Sequence, residues 1–114
     1  MSEEIAVVGR PASGSVLLTH DVGLHARPSV KLTKLAKTFS SRIELALAHD
    51  GPWIDAKSIV RVMAVKAPQN SVLHFRADGE DAHAAIDALV SLVAGDFGGT
   101  EIDGGEDAVR AGAG

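Results

Sequence analysis

Residues 23–29 read Gly23-Leu24-His25-Ala26-Arg27-Pro28-Ser29. A histidine stands here where a turn meets a helix start, with an arginine two residues on and a proline three residues on. Pro28 suits a first helical turn, because its missing N–H would have no partner there anyway. Gly23 lets the preceding turn take backbone angles closed to other residues. The first amides of a helix lack intrahelical acceptors and carry a partial positive charge, so they suit an anion. A histidine in that place is fitted to accept and release a phosphoryl group.

Outward from this stretch the pattern alternates between helix and strand. Leu32, Leu35, Ala36 and Phe39 recur at i, i+3, i+4 and i+7, one face of a helix whose other face carries Lys31, Lys34 and Lys37. On the N-terminal side, Ser15–Thr19 is a short strand around Val16, Leu17 and Leu18. Ile43, Leu45 and Leu47 alternate with Glu44 and Ala46, a half-buried strand. Asp50-Gly51 marks a turn, and Trp53 and Ile54 begin the return strand of a hairpin. Ile59, Val62 and Met63 form the apolar face of a short helix after Ser58, which Pro68-Gln69-Asn70 breaks. Leu73, Phe75 and Ala77 alternate with His74 and Arg76, a fourth strand. Ala82, Ala85, Ile86, Leu89 and Val93 mark the last helix. Glu80 and Asp81 are expected in its first turn, where the dipole favours negative charge, and Gly95 is its stop.

The order β-α-β-β-α-β-α points to an α+β fold, with helices stacked on one face of a four-stranded sheet. The chain of 114 residues fits one compact domain. Its residues are 46% hydrophobic but only 4% aromatic, so the core is expected to be aliphatic. Residues 1–14 and 98–114 read as flexible linkers or extensions, rich in Gly, Ala and acidic residues, which leaves 15–97 as the folded domain. A net charge of -4 argues against a general nucleic-acid binder. With no cysteine, disulfides and thiolate metal sites are excluded. His20, His49, His74 and His83 are scattered without metal-ligand spacing, so neither metal nor cofactor is expected. No apolar run approaches the ~18–20 residues needed to cross a bilayer, and no secretory signal opens the chain. A cytoplasmic protein, a monomer by default, is the expectation.

From about Ser15 to Phe97 the chain resembles the histidine-containing phosphocarrier (HPr) family of the bacterial phosphoenolpyruvate-dependent phosphotransferase system. Gly23 to Pro28 is similar to that family's active-site signature. Asp55-Ala56-Lys57-Ser58-Ile59 is similar to its second, serine-centred signature. The resemblance implies an open-faced sandwich, a four-stranded antiparallel sheet covered on one face by three helices. It implies that Enzyme I donates a phosphoryl group, that His25 holds it through Nδ1, and that a IIA domain receives it. Arg27 would face the phosphate, and Ala26, Arg27 and Ser29 would bind it. The sequence departs from the family at Val65-Lys66-Ala67-Pro68-Gln69-Asn70, where many members carry glycines. The extensions at both ends suit an HPr-like domain of a multiphosphoryl transfer protein.

Phosphoryl transfer asks a protein for positioning and charge more than for covalent help. The nucleophile must be a neutral imidazole with a free lone pair. Arg27 offers parallel N–H donors to the phosphate and stays charged throughout. Such a protein is a covalent intermediate in a relay and does not turn over alone. The alternative is a regulatory or protein-binding module that uses the same fold without carrying phosphate. The intact His25/Arg27 pair weighs against it, because binding alone has no need of the nucleophile.

Ser58 has two compatible readings: a helix N-cap, and, by the resemblance, a regulatory site for an HPr kinase, where a phosphate would add roughly two negative charges. Lys31, Lys34, Lys37 and Arg42 form a basic stripe that either steers an acidic partner or is only a solvated face. Helical spacing assigns Ile59, Val62 and Met63 mainly to the core. The family docks partners near this helix, so Lys31, Lys34, Ile59 and Met63 are the expected partner-binding residues. His20 is expected to border the site, and Trp53 to pack near the hairpin.

Overall fold

The computed structural model describes residues 11–21 and 23–98. Strands β1 (Pro11–Leu17), β2 (Arg42–Ala46), β3 (Ile54–Asp55) and β4 (Val72–Asp78) alternate with helices α1 (Ala26–Lys37), α2 (Ile59–Val65) and α3 (Ala82–Ala94). The strands form one sheet in the order β1-β4-β2-β3, and every neighbouring pair is antiparallel. The expected α+β fold is therefore the observed one.

Period-two alternation sorts the sheet's faces. On β4, Leu73, Phe75 and Ala77 point into the core, while Val72, Arg76 and Asp78 are exposed. The core is aliphatic, built on Leu18, Leu24, Leu32, Ile43, Leu45, Leu73, Leu89, Val62 and Val93, with Phe75 the large aromatic at its centre. Removing any of these to Ala is worth about 2–5 kcal/mol. The other face is open. There Arg76 lies 4.2 Å over the Trp53 ring and pairs with Glu44 at 2.7 Å. His49 and His74 lie beside each other on it, ring centroids 5.4 Å apart. Trp53, expected to pack near the hairpin, stacks there on Arg76.

Strand β1 begins at Pro11, so the expected boundary at Ser15 is corrected: Pro11–Gly14 pair with Asp78 to Phe75. Gly14, read as linker punctuation, is a packing glycine. A Cβ there would lie 2.9 Å from Ile86 Cγ2 and 3.3 Å from Val90 Cγ2 of α3, which crosses the strand too closely for a side chain. The expected 1–14 and 98–114 extensions otherwise lie outside the described residues, save Gly98. The hairpin is shorter than its alternation suggested. Leu47 falls beyond β2 and is exposed, and β3 holds only Ile54 and Asp55.

Two helix ends also differ from expectation. Asp81 is the N-cap of α3 and makes no capping bond, and no acidic residue lies in the first turn. Its carboxylate instead accepts the N–H groups of Ser40 and Ser41, at 2.8 and 2.9 Å, and the Ser41 hydroxyl. Helix α2 ends at Lys66, which takes the left-handed conformation at φ 52°, a position that costs a side-chain-bearing residue energy.

Candidate functional site

His25 is the N-cap of α1, in extended backbone at φ -116°, and its side chain makes no capping bond. The imidazole is exposed. The His25 carbonyl accepts the Ser29 N–H at 2.9 Å, which starts the helical ladder. The Ala26 and Arg27 amides precede that ladder and so have no intrahelical acceptor. Pro28 has no N–H, is buried, and closes the turn. Arg27 is exposed and makes no hydrogen bond or ion pair with another described residue. An exposed imidazole, amides without helical partners and an uncommitted guanidinium thus share one helix end.

The turn before His25 is held from the far side of the fold. Gly23 sits at φ +74°, and a Cβ there would strike the Ala67 carbonyl oxygen and lie 3.0 Å from Pro68 Cα. The neighbouring Leu24 N–H donates to that same Ala67 carbonyl at 2.8 Å, and Leu24 is buried. Gln69 Nε2 donates to Thr19 O at 3.1 Å. The stretch after α2 that departs from the family pattern therefore supports the site through the Ala67 carbonyl, which needs a close glycine partner but no particular side chain at 67, and through the side-chain amide of Gln69.

His20 does border the site. Its ring centroid is 6.1 Å from that of His25 and 5.9 Å from that of Phe97, which meets it edge-on at 79°. Its Nδ1 lies 3.7 Å from an Asp21 carboxylate oxygen. Phe97 itself is buried, in the turn after α3. Asp96 and Phe97 take left-handed backbone there, and the Phe97 carbonyl accepts the Lys31 ammonium at 2.7 Å. The end of α3 is thus pinned to α1 beside His25. Nothing in the sequence pattern marks Phe97 as part of this neighbourhood, because its contact with His20 spans most of the domain.

The remaining expected residues are sorted by geometry. Ser29 does not face outward: it is buried, its N–H is bonded to His25, and its Oγ has no partner. Its expected part in phosphate binding is corrected, because the first helical turn directs it inward. Lys31 is tied to Phe97, whereas Lys34 remains exposed in the last turn of α1, where positive charge suits the dipole. Ile59 is half-buried and Met63 is 41% exposed. Val60, at 74%, and Val30, at 40%, are exposed apolar residues on the two helices that pack together. Sequence periodicity missed them because each falls off the apolar stripe. Ser58 is the N-cap of α2, its Oγ accepting the Arg61 N–H at 3.3 Å.

Among the described residues, no group of three His, Cys, Asp or Glu side chains could hold a metal ion. No described helix is long and apolar enough to cross a membrane.

Comparison with known proteins agrees with this geometry. Residues 12–95 match the family model for the PTS HPr component phosphorylation site. A phosphocarrier protein HPr of Cupriavidus necator is 42% identical over 71% of this chain and 89% of its own length. A multiphosphoryl transfer protein of Haemophilus influenzae is 36% identical over 75% of this chain, which spans only 17% of that protein. Among solved structures, HPr from Thermoanaerobacter tengcongensis superimposes with a TM-score of 0.71 at 34% identity, covering 77% of this chain and 97% of its own.

Proposed function

The chain belongs to the HPr family of the phosphotransferase system, and from that premise we propose that His25 is the residue on which its phosphoryl group rides. The protein is a phosphocarrier, a phosphoryl relay protein of that system. Enzyme I is the donor and a IIA domain the acceptor standard for the family. The observation that carries the proposal is the exposed His25 at the start of α1, beside amides with no helical acceptor and the uncommitted Arg27.

The transfer is an in-line displacement. The lone pair of neutral His25 Nδ1 forms an N–P bond as the donor's N–P bond breaks and returns its electron pair to the donor imidazole. The balance needs no metal and no third reactant. The Ala26 and Arg27 amides and the Arg27 guanidinium offer donors to the phosphoryl oxygens. Their hold must be modest, since each ~1.4 kcal/mol of stabilisation of the phosphorylated state costs about tenfold in onward transfer. An exposed site serves such a carrier, because the same phosphate must meet two proteins.

On this reading the protein is no stand-alone catalyst, and it works as a cytoplasmic monomer. Val30, Val60 and Met63, with Lys34, would form the docking face. Ser58 has N-cap geometry; a kinase acting there would add charge beside that face.

The test is intact mass after incubation with Enzyme I and phosphoenolpyruvate, followed by acid. The expected result is one acid-labile addition of about 80 Da, absent in His25→Ala. An unchanged addition in His25→Ala would overturn the assignment.

A further inference from the structure

We propose that His20 is a second phosphoryl-contacting residue, which donates an imidazole N–H to the phosphoryl group while His25 carries it. The inference rests on the assignment of His25 above. It starts from placement: the two rings lie 6.1 Å apart between centroids and are tilted by 57°. That gap is too wide for ring stacking to be the purpose. It suits a tetrahedral group attached to one ring and reached by the other, since an N–H···O bond adds about 2.9 Å between heavy atoms.

His20 is also held in place, which a passive surface histidine need not be. The Phe97 ring backs it edge-on, and Phe97 is fixed by burial and by the Lys31 bond to its carbonyl. The His20 carbonyl accepts the Gly23 N–H at 2.9 Å, which ties its backbone to the turn that aims His25. The side chain is 21% exposed, so it is partly screened yet open on one side. Asp21 lies 3.7 Å from Nδ1, and an imidazole carries at least one N–H donor in either protonation state. An N–H facing a phosphoryl dianion forms the stronger, charge-assisted kind of bond. His20 takes no part in the covalent step; it holds an oxygen of the group that moves.

The experiment measures the equilibrium for phosphoryl exchange with Enzyme I, and the hydrolysis rate of the phosphorylated protein. His20→Phe keeps the packing on Phe97 and loses the donor; His20→Gln keeps an N–H donor in an uncharged side chain. Relative to the unaltered protein, His20→Phe is expected to lose about tenfold in phosphoryl retention. His20→Gln should restore part of the loss. Both variants phosphorylated and holding the group as well as the unaltered protein would overturn the inference. No phosphorylation of the unaltered protein would instead overturn the His25 assignment on which it rests. Thermal melts of both variants identify any loss of fold, in which case the folded variant alone decides.

Discussion

The Asp81 carboxylate accepts the backbone N–H of Ser41 at 2.9 Å, across 40 residues of chain. It also accepts the Ser41 hydroxyl and the Ser40 N–H. One side chain thus joins the start of α3 to the loop between α1 and β2. These bonds, that from the Ser41 hydroxyl foremost, lower its pKa from 3.8 to about 2. A group whose folded value lies below its unfolded value stabilises the fold fully above the unfolded value. That contribution drains as pH falls through the folded one. Asp81→Ala should therefore lower the urea midpoint at pH 7, and the gap to the unaltered protein should close between pH 3.8 and about 2. Urea melts at pH 7, 4, 3 and 2 check it; a constant gap across that range would contradict the account.

Gly23→Ala tests the support of the turn. The residue needs φ +74° and has the Ala67 carbonyl where a Cβ would go. The expected cost is about 1–3 kcal/mol. Because His25 follows two residues on, phosphorylation should slow even where melts show the variant folded.

Arg27 separates function from stability. It is exposed and has no partner among the described residues, so Arg27→Met should change stability by less than about 0.5 kcal/mol. The rate of phosphoryl transfer should fall about tenfold or more, and Arg27→Lys should recover only part of it, since a single ammonium cannot offer parallel donors. Rapid-quench kinetics with phosphorylated Enzyme I measure both.

Lys66→Gly tests the end of α2. Lys66 sits at φ 52°, where a side chain costs about 1–2 kcal/mol and glycine costs none, offset in part by glycine's greater unfolded freedom. A net gain of about 0.5–1 kcal/mol is expected, a rise of a few °C in Tm for a domain of this size. A lowered Tm on calorimetry would show that the Lys66 side chain contributes more than its backbone costs.

Much of the fold was legible because apolar periodicity is a local property. The spacing of Leu32 and Ala36 gave one face of α1, and the alternation of Leu73, Phe75 and Ala77 gave the inner face of β4, both as observed. The position of His25 at a helix start followed from Gly23 and Pro28, whose backbone preferences act within a few residues. Ser58 as a cap followed for the same reason.

What the chain pattern could not settle is which distant group meets each polar or glycine residue. Gly14 looked like a linker until α3 was seen to cross it. Asp81 looked like a dipole partner until Ser41 was found to hold it. Lys31 looked like a free surface charge until the Phe97 carbonyl claimed it. The sequence by itself determined the elements, the aliphatic core and a histidine set at a helix N-terminus. The tertiary structure alone decided that Ser29 turns inward, that Ala67 supports the Gly23 turn, and that His20 and Phe97 flank His25. Local periodicity records the face a residue presents, whereas hydrogen-bond and ring partners depend on where separate elements come to rest against one another.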